Sequence, residues 1–424
     1  MFRRCGQDGQ GGQLKAQAGS PSLLRQWNAT VVLRKIREQG PISRTQLAKE
    51  VGLSNKTVND VTEFLLNEGF IRDYLGTEDD RVRPRGPVPR LFTFCADLGH
   101  VLGVDVGANK IVALVADLAG QVVGSARRQT SSAKPVEVLA EVQLAMTSAL
   151  EESHVDRASL KAVAVGTPGV VDSGLIRLAP QLGDWEGVNL RQELDPLLPC
   201  PVLVENEAHL SILAEKWRGA ARGIDDALYL QLGVGVGAAL LIKGEAYGGA
   251  NGAAGEIGYL PLFEHSRVTH DDPGPFETAV GGTAYARLGR AAAIAEPGGL
   301  LRRLAGGDPS AVDAKIVFAA AGQGDPTAHR IVKTLTSTLA RGIATAVVLL
   351  DPAAVILGGG LSRAGDLLLE PLNSHLGRIL PAPPRLVLSA LGSDAVALGA
   401  VRLACEFAER QLFEFASADA NNGD

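Results

Sequence analysis

Residues 102–128 read LGVDVGANKIVALVADLAGQVVGSARR. Runs of Val, Ile, Leu and Ala are broken at Gly107-Ala108-Asn109 and at Ala119-Gly120, a pattern that predicts three short strands joined by tight turns. A helical segment around Val136–Glu151 and a strand over Ala162–Val165 follow. The same plan returns in ALYLQLGVGVGAALLIKGEAY, residues 227–247, again strand, Gly-rich turn, strand. Strands alternating with helices make the class α/β, and one layout written twice predicts two lobes with a ligand cleft between them.

Outward from this body the chain changes character. Residues 1–21 are rich in Gly and Gln with little to bury and are expected to form a disordered leader, and 413–424 a disordered tail. Between them, 22–95 form one expected domain and 96–412 the other. In the first, Leu24, Trp27, Val31, Val32 and Ile36 recur at helical spacing until Gly40-Pro41. Ser43 is an expected N-cap, with Leu47, Ala48 and Val51 facing inward before Gly52. Ser54 caps a third helix, with Val58, Val61, Leu65 and Leu66 inside. Two apolar runs, FIRDYL and RLFTF, then flank RVRPRGPVPR. Residues 22–94 hold twelve Lys/Arg against nine Asp/Glu, whereas the whole chain carries a formal charge of −6, so a mildly basic module is joined to an acidic body.

Helix, Gly-containing turn, helix and β-wing together resemble the winged helix-turn-helix of bacterial repressors, most closely in PISRTQLAKEVGLSNKTVNDVTEFLLNEGFI, residues 41–71. The resemblance implies that double-stranded operator DNA is a partner. It would be contacted by Arg44, by Ser54, Asn55, Lys56, Thr57 and Asn59 at the start of the third helix, and by Arg83 and Arg85 with Arg81 in the wing. The alternative is a dimerisation or protein-contact module with a solvated arginine loop.

The body resembles the ROK family (repressors, open reading frames and sugar kinases), which implies a two-lobed actin-like, ribonuclease H-like ATPase fold. The resemblance is carried by PVLVENEAHLSILAEKW (201–217), by NGAAGEIGYLPL (251–262) and by PGPFETAVGG (273–282). It implies a sugar site built from Asn206, Glu207, Glu256, Tyr259 and Glu277. Three carboxylates and an amide suit a polyhydroxylated neutral ligand, because each acid accepts hydroxyl protons. The stretch 169–190 resembles the segment that closes over the sugar, with Trp185 either a stacking face or an anchor for the loop.

Departures from the kinase pattern are as informative. Kinases of the family carry Glu-Asn-Asp, the Asp being the catalytic base, where this chain has Glu205-Asn206-Glu207. The extra methylene displaces the carboxylate by about 1.5 Å, more than catalysis by positioning tolerates. Glu at this position resembles the xylose-repressor branch. Asp105-Val106-Gly107-Ala108-Asn109 and Gly233-Val234-Gly235 stand where the kinases have Asp-x-Gly-Gly-Thr and Gly-Thr-Gly, so Asp105, Gly107, Gly233, Gly235 and Gly359 read as a vestigial nucleotide site. Tyr259 replaces the zinc-binding His of many relatives, and the cysteine cluster is missing, so neither a zinc site nor any cofactor is expected. His265, His270, Asp271 and Asp272 read as a polar surface loop.

Cys5, Cys95, Cys200 and Cys405 are widely spaced and expected to be free thiols. With no run of roughly 20 uncharged apolar residues and no h-region in MFRRCGQDGQGGQ, neither membrane nor secretion is indicated, and the expected location is cytoplasmic. The resulting expectation is a sugar-responsive regulator that is not an enzyme, a homodimer or homotetramer released from its operator by a monosaccharide. A sugar kinase, or a regulator sensing a phosphorylated metabolite or a partner protein, is the alternative.

Overall fold

The computed structural model describes residues 21–74, 90–107, 109–130, 132, 134–179, 184–262 and 273–419; side chains 21–24, 26 and 412–419 are excluded. Two compact units result, Met1–Leu98 with Glu409–Asp424, and Gly99–Ala408.

In the first unit, α1 (Pro21–Gln39), α2 (Arg44–Val51) and α3 (Asn55–Asn67) pack with β1 (Ile42–Ser43), β2 (Ile71–Asp73) and β3 (Leu91–Phe94), the strands pairing in the order β1-β3-β2. Ser43 begins α2 with a capping box, its side chain accepting from the Gln46 N–H while the Gln46 side chain returns to the Ser43 backbone. Gly52 closes the helix in the left-handed region at φ 69°. Ser54 accepts from Thr57 N–H to open α3. Val32, Leu33, Ile36, Leu47, Val58, Leu65 and Phe92 form the core. Trp27, expected on the inner face, is instead 70% exposed; the buried stripe of α1 runs through Ala29, Val32, Leu33 and Ile36, one residue out of step with it. The side chain of Leu24 and the wing tip with Arg81, Arg83 and Arg85 lie outside the described residues.

The second unit contains two five-stranded sheets. The first is built from β4 (His100–Val106), β5 (Lys110–Asp117), β6 (Val122–Gln129), β7 (Leu160–Thr167) and β10 (Val202–Asn206). Between them come α4 (Pro135–Ser153), the hairpin β8 (Val170–Asp172) and β9 (Leu175–Leu178), and α5 (Leu190–Leu194). After α6 (Glu207–Arg218), the second sheet takes β11 (Ala227–Leu232), β12 (Val236–Ile242), β13 (Glu245–Tyr247), β14 (Ala354–Gly358) and β15 (Arg385–Leu388). It is covered by helices α7 (Pro275–Val280), α8 (Gly282–Ala295), α9 (Leu300–Leu304), α10 (Ala314–Gly322), α11 (Pro326–Leu350) and α12 (Asp366–Ile379), whereas α13 (Ala395–Asp419) returns to the first sheet, where Ala397 and Val401 lie against Gly103.

The two sheets share one topology. Written from the third strand, the orders β6-β5-β4-β7-β10 and β13-β12-β11-β14-β15 are the same path. Each starts as an antiparallel meander and adds two strands parallel to its first. The repeat seen in the sequence is therefore a repeat of fold. β4 and β7 are buried on both faces, which is why they read as near-continuous Val, Leu and Ala runs without polar alternation. Helix α6 lays Ala208 and Ile212 on Tyr229, Ala239 and Ile356 of the second sheet. Among the described residues, α11 alone is apolar and long enough by composition to cross a membrane, but its inner face, including Leu335, Leu339 and Ile343, is core of the second lobe. The last helix is described to Asp419, so it enters the segment 413–424 where composition suggested a disordered tail.

Candidate functional site

Strand β10 ends at Asn206 and α6 begins at Glu207, so the Glu-Asn-Glu motif occupies a strand-to-helix turn. Asn206 caps the helix, its Oδ1 accepting from Ala208 N–H at 2.7 Å and His209 N–H at 3.3 Å, and its Nδ2 donating to Gly169 O at 2.8 Å. Only one amide hydrogen is left for a ligand. Asn206 thus braces the turn more than it reads hydroxyls, a change from the role that the resemblance gave it.

A cavity of about 330 Å³ lies against this turn, and Asn206, Glu207, Glu256, Tyr259 and Glu277 all line it. Residues up to 71 positions apart in the chain are thus gathered where the sequence motifs place them. Glu256 sits on a turn fixed by close backbone packing: Ala238 N–H donates to Gly255 O at 2.9 Å, and Gly255 has φ 93°. A Cβ there would stand 2.2 Å from Ala238 O, so glycine is required. Glu277 rides on the first turn of α7 and accepts from Val236 N–H at 3.4 Å. The Tyr259 hydroxyl is buried and finds no hydrogen-bond partner among the described residues, an arrangement that costs about 1–3 kcal/mol unless a ligand satisfies it.

The electrostatics follow from enclosure. Burial pushes the Glu207 carboxyl up to about 8, and the charges of Asp105, Glu256 and Glu277 add to the effect while Lys110 opposes it. Glu256 is raised by burial and then by Glu277, with His209 pulling the other way. Tyr259 is raised for the same reasons, burial first and then the two glutamates. Asp105 lies at the back of the site, its Oδ2 2.7 Å from Lys110 Nζ. Burial still outweighs that ion pair and raises its pKa. Lys110 also donates to Ser393 O at 2.8 Å.

Both glycine turns face the same space, since Gly107, Gly233, Gly235 and Gly359 line the cavity. They differ in what the fold demands. Gly359 has φ 79° and leaves no room for a Cβ, which would lie 2.4 Å from Leu232 O. A Cβ at Gly233 would meet nothing, so turn geometry alone does not explain that glycine. Val234, between two glycines, is 54% exposed and turns an apolar side chain to the opening. Beyond it a second cavity of about 690 Å³ is lined by Thr283, Lys315, Phe318 and Arg363.

Trp185 is no stacking face. It is fully buried, packed into the first lobe's core with Ile176, Leu190 and Leu194. Ala108 and the loop with His265, His270, Asp271 and Asp272 fall outside the described residues, and no group of three or more His, Cys, Asp or Glu among the described residues could hold a metal ion. Cys95, Cys200 and Cys405 form no disulfide among the described residues, and Cys405 Sγ lies 3.7 Å from Asp117 O. Sequence reasoning missed Lys110, His209 and Gln231, which all touch or support the cavity. Lys110 and His209 could have been found by their spacing, three residues after Gly107 and two after Glu207.

On the winged-helix unit, Ser54 and Thr57 are tied to each other, their hydroxyls 2.8 Å apart. Asn55, Lys56 and Asn59 are exposed on the first turns of α3. Arg44 is occupied otherwise than expected: its Nε donates to Thr62 Oγ1 at 2.8 Å, it pairs with Glu63, and it lies 5.0 Å from the Phe92 ring centroid. It fastens α2 to α3 and β3.

Residues 101–406 match the model of the ROK family. The chain belongs to the ROK family. Residues 26–82 match the MarR family. A xylose repressor of Caldicellulosiruptor bescii is 27% identical over 370 residues, covering 85% of this chain and 90% of its own. A glucokinase of Thermotoga maritima is 32% identical over 310 residues, 72% of this chain and 96% of its own. Among solved structures, a ROK-family transcriptional regulator homologous to the E. coli MLC protein superposes with a TM-score of 0.74 at 22% identity, covering 93% of this chain and 99% of that one, a likeness of fold. A ROK-family glucokinase from Streptomyces griseus, in complex with glucose and AMPPNP, gives 0.66 at 30% identity over 73% of this chain and 100% of that one.

Proposed function

We propose that this protein is a DNA-binding transcriptional regulator, a cytoplasmic repressor, whose cleft binds a neutral monosaccharide and whose operator affinity falls when it does. The observation that carries this reading is the presence, in one chain, of a winged helix with free polar side chains on α3 and a cleft where Glu207, Glu256, Tyr259 and Glu277 converge. Relatives of the two kinds divide along the same line. The xylose repressor aligns over 85% of the chain and the glucokinase over 72%. A homodimer or homotetramer would present two α3 helices to a pseudo-palindromic site. A coupling free energy of about 1–3 kcal/mol is enough to change DNA affinity by roughly 5- to 150-fold.

The test is fluorescence anisotropy of the full-length protein on its own upstream DNA at fixed salt, with xylose first in a panel of pentoses, hexoses and amino sugars. Release by one sugar supports the reading. Specific binding that no sugar changes removes the sensor half of it.

The second reading, an ATP-dependent sugar kinase, is favoured by the open glycine turn at Gly233 and by the cavity beyond it. Against it stand Glu207 for the catalytic Asp and Val234 and Asn109 for two hydroxyl-bearing residues. Sugar-dependent formation of ADP would establish the kinase.

A further inference from the structure

Resting on the sugar-sensor reading for its significance, we propose that His209 is a positioning residue: a protonated strut that ties the Glu256 turn to the Glu207 turn and assembles the cleft only while its imidazole carries both protons. His209 is on the first turns of α6 and only 6% exposed. Nδ1 lies 3.0 Å from Glu205 Oε1 and Nε2 3.2 Å from Ala254 O. A backbone carbonyl only accepts, and Glu205 Oε1 already accepts the Asn206 N–H at 2.7 Å. A neutral imidazole has a single N–H and can serve one of these acceptors; the imidazolium serves both.

The tie joins the two sheets. Glu205 lies on β10 of the first sheet, next to its last residue, whereas Ala254 follows β13 of the second and stands two residues before Glu256. Ala254 N–H donates to Gly248 O at 3.1 Å, so holding its carbonyl holds the whole 248–256 turn. The charged groups facing His209 are Glu205 from β10 and Glu256 from the turn; the Tyr229 hydroxyl of β11 donates instead to Gln231 Oε1 at 2.8 Å. Burial works to lower the imidazole pKa, but the Glu205 hydrogen bond and charge, the Ala254 carbonyl and Glu256 together raise it. The strut is therefore fully in place below pH ~6.5 and is lost as pH rises through the higher folded-state pKa.

Hydrogen–deuterium exchange of the full-length protein tests this directly, reading the peptide over 248–257 at pH 6 and pH 9 after correction for intrinsic rates. In the wild type, protection of that peptide is expected to drop about tenfold at pH 9, on the order of what the loss of one hydrogen bond costs; in His209→Gln it is expected to be low and equal at both. Equal wild-type protection at the two pH values would overturn the proposal. So would a His209→Gln variant that keeps the wild-type pH dependence, since Glu207 or Glu256 would then be the group responsible. Sugar titrations at both pH values separate the two ideas. If exchange follows His209 while no sugar alters operator binding at either pH, the sensor reading falls and the strut stands.

Discussion

Replacing Glu207 by Gln removes a group whose proton is bound far more tightly in the folded chain than in the unfolded one. Its pKa rises from 4.5 to about 8, chiefly through burial. The unfolded chain releases that proton near pH 4.5 and the folded chain near pH 8, so wild-type stability declines as pH rises through this window. The full linkage slope is about 1.4 kcal/mol per pH unit, or roughly 3–4 kcal/mol between pH 5 and pH 8. Relaxation of the cleft and water entry reduce this to about 2 kcal/mol. Gln titrates in neither state and resembles the neutral acid in shape, so Glu207→Gln gains that amount over the wild type at pH 8 and almost nothing at pH 5. For a unit of this size the gain is a rise in Tm of about 4 °C. Differential scanning calorimetry of both proteins at the two pH values measures it. A Tm difference that is the same at pH 5 and pH 8 would refute the account of Glu207 as an acid forced to hold its proton.

Tyr259→Phe deletes a buried hydroxyl that has no partner among the described residues; the ligand-free protein should gain about 1 kcal/mol in chemical unfolding, while the sugar that releases operator should bind more weakly. Gly255→Ala forces a Cβ to within 2.2 Å of Ala238 O at φ 93°, and denaturant titration should show a loss of about 2 kcal/mol or more. Lys56→Ala should weaken operator binding about equally for all sequences and reduce the salt slope by about 1. Asn59→Ala should instead relax preference at one base position, by about 1–3 kcal/mol in competition assays, if its amide reads a base edge.

Much of the fold was legible because both its units announce themselves locally. Ser43 and Ser54 act as the caps that their positions imply, and strands buried on both faces leave no alternation to misread. Trp27 and Trp185 show where composition fails. A large aromatic at helical spacing next to a buried stripe looks like part of it, yet Trp27 is outside. Trp185, in a polar loop, reads equally well as a stacking face or an anchor, and it is the plug of the first lobe. In both cases helical spacing and loop polarity do not say which way the ring turns, and packing decides it: Trp185 closes on Ile176, Leu190 and Leu194, while Ala29 and Val32 take the inner face of α1.

At the site, residue types were legible and their occupation was not. Glu207, Glu256, Tyr259 and Glu277 converge as their motifs imply, because the starts of α6 and α7 and the turn that carries Glu256 and Tyr259 open onto one cavity. Asn206 and Arg44 were read as ligand-facing because their chemistry suits ligands, but the same chemistry serves a helix cap and an interhelical tie. A polar side chain next to an unsatisfied backbone group is used there first, since leaving that group bare costs more than a solvent-competed contact returns. Glu207 has no such local use. Its carboxyl faces the cavity among three other acids with Lys110 as the cation opposing them, so the added methylene that separates it from a kinase base leaves it a buried acid suited to exchanging hydrogen bonds with hydroxyls.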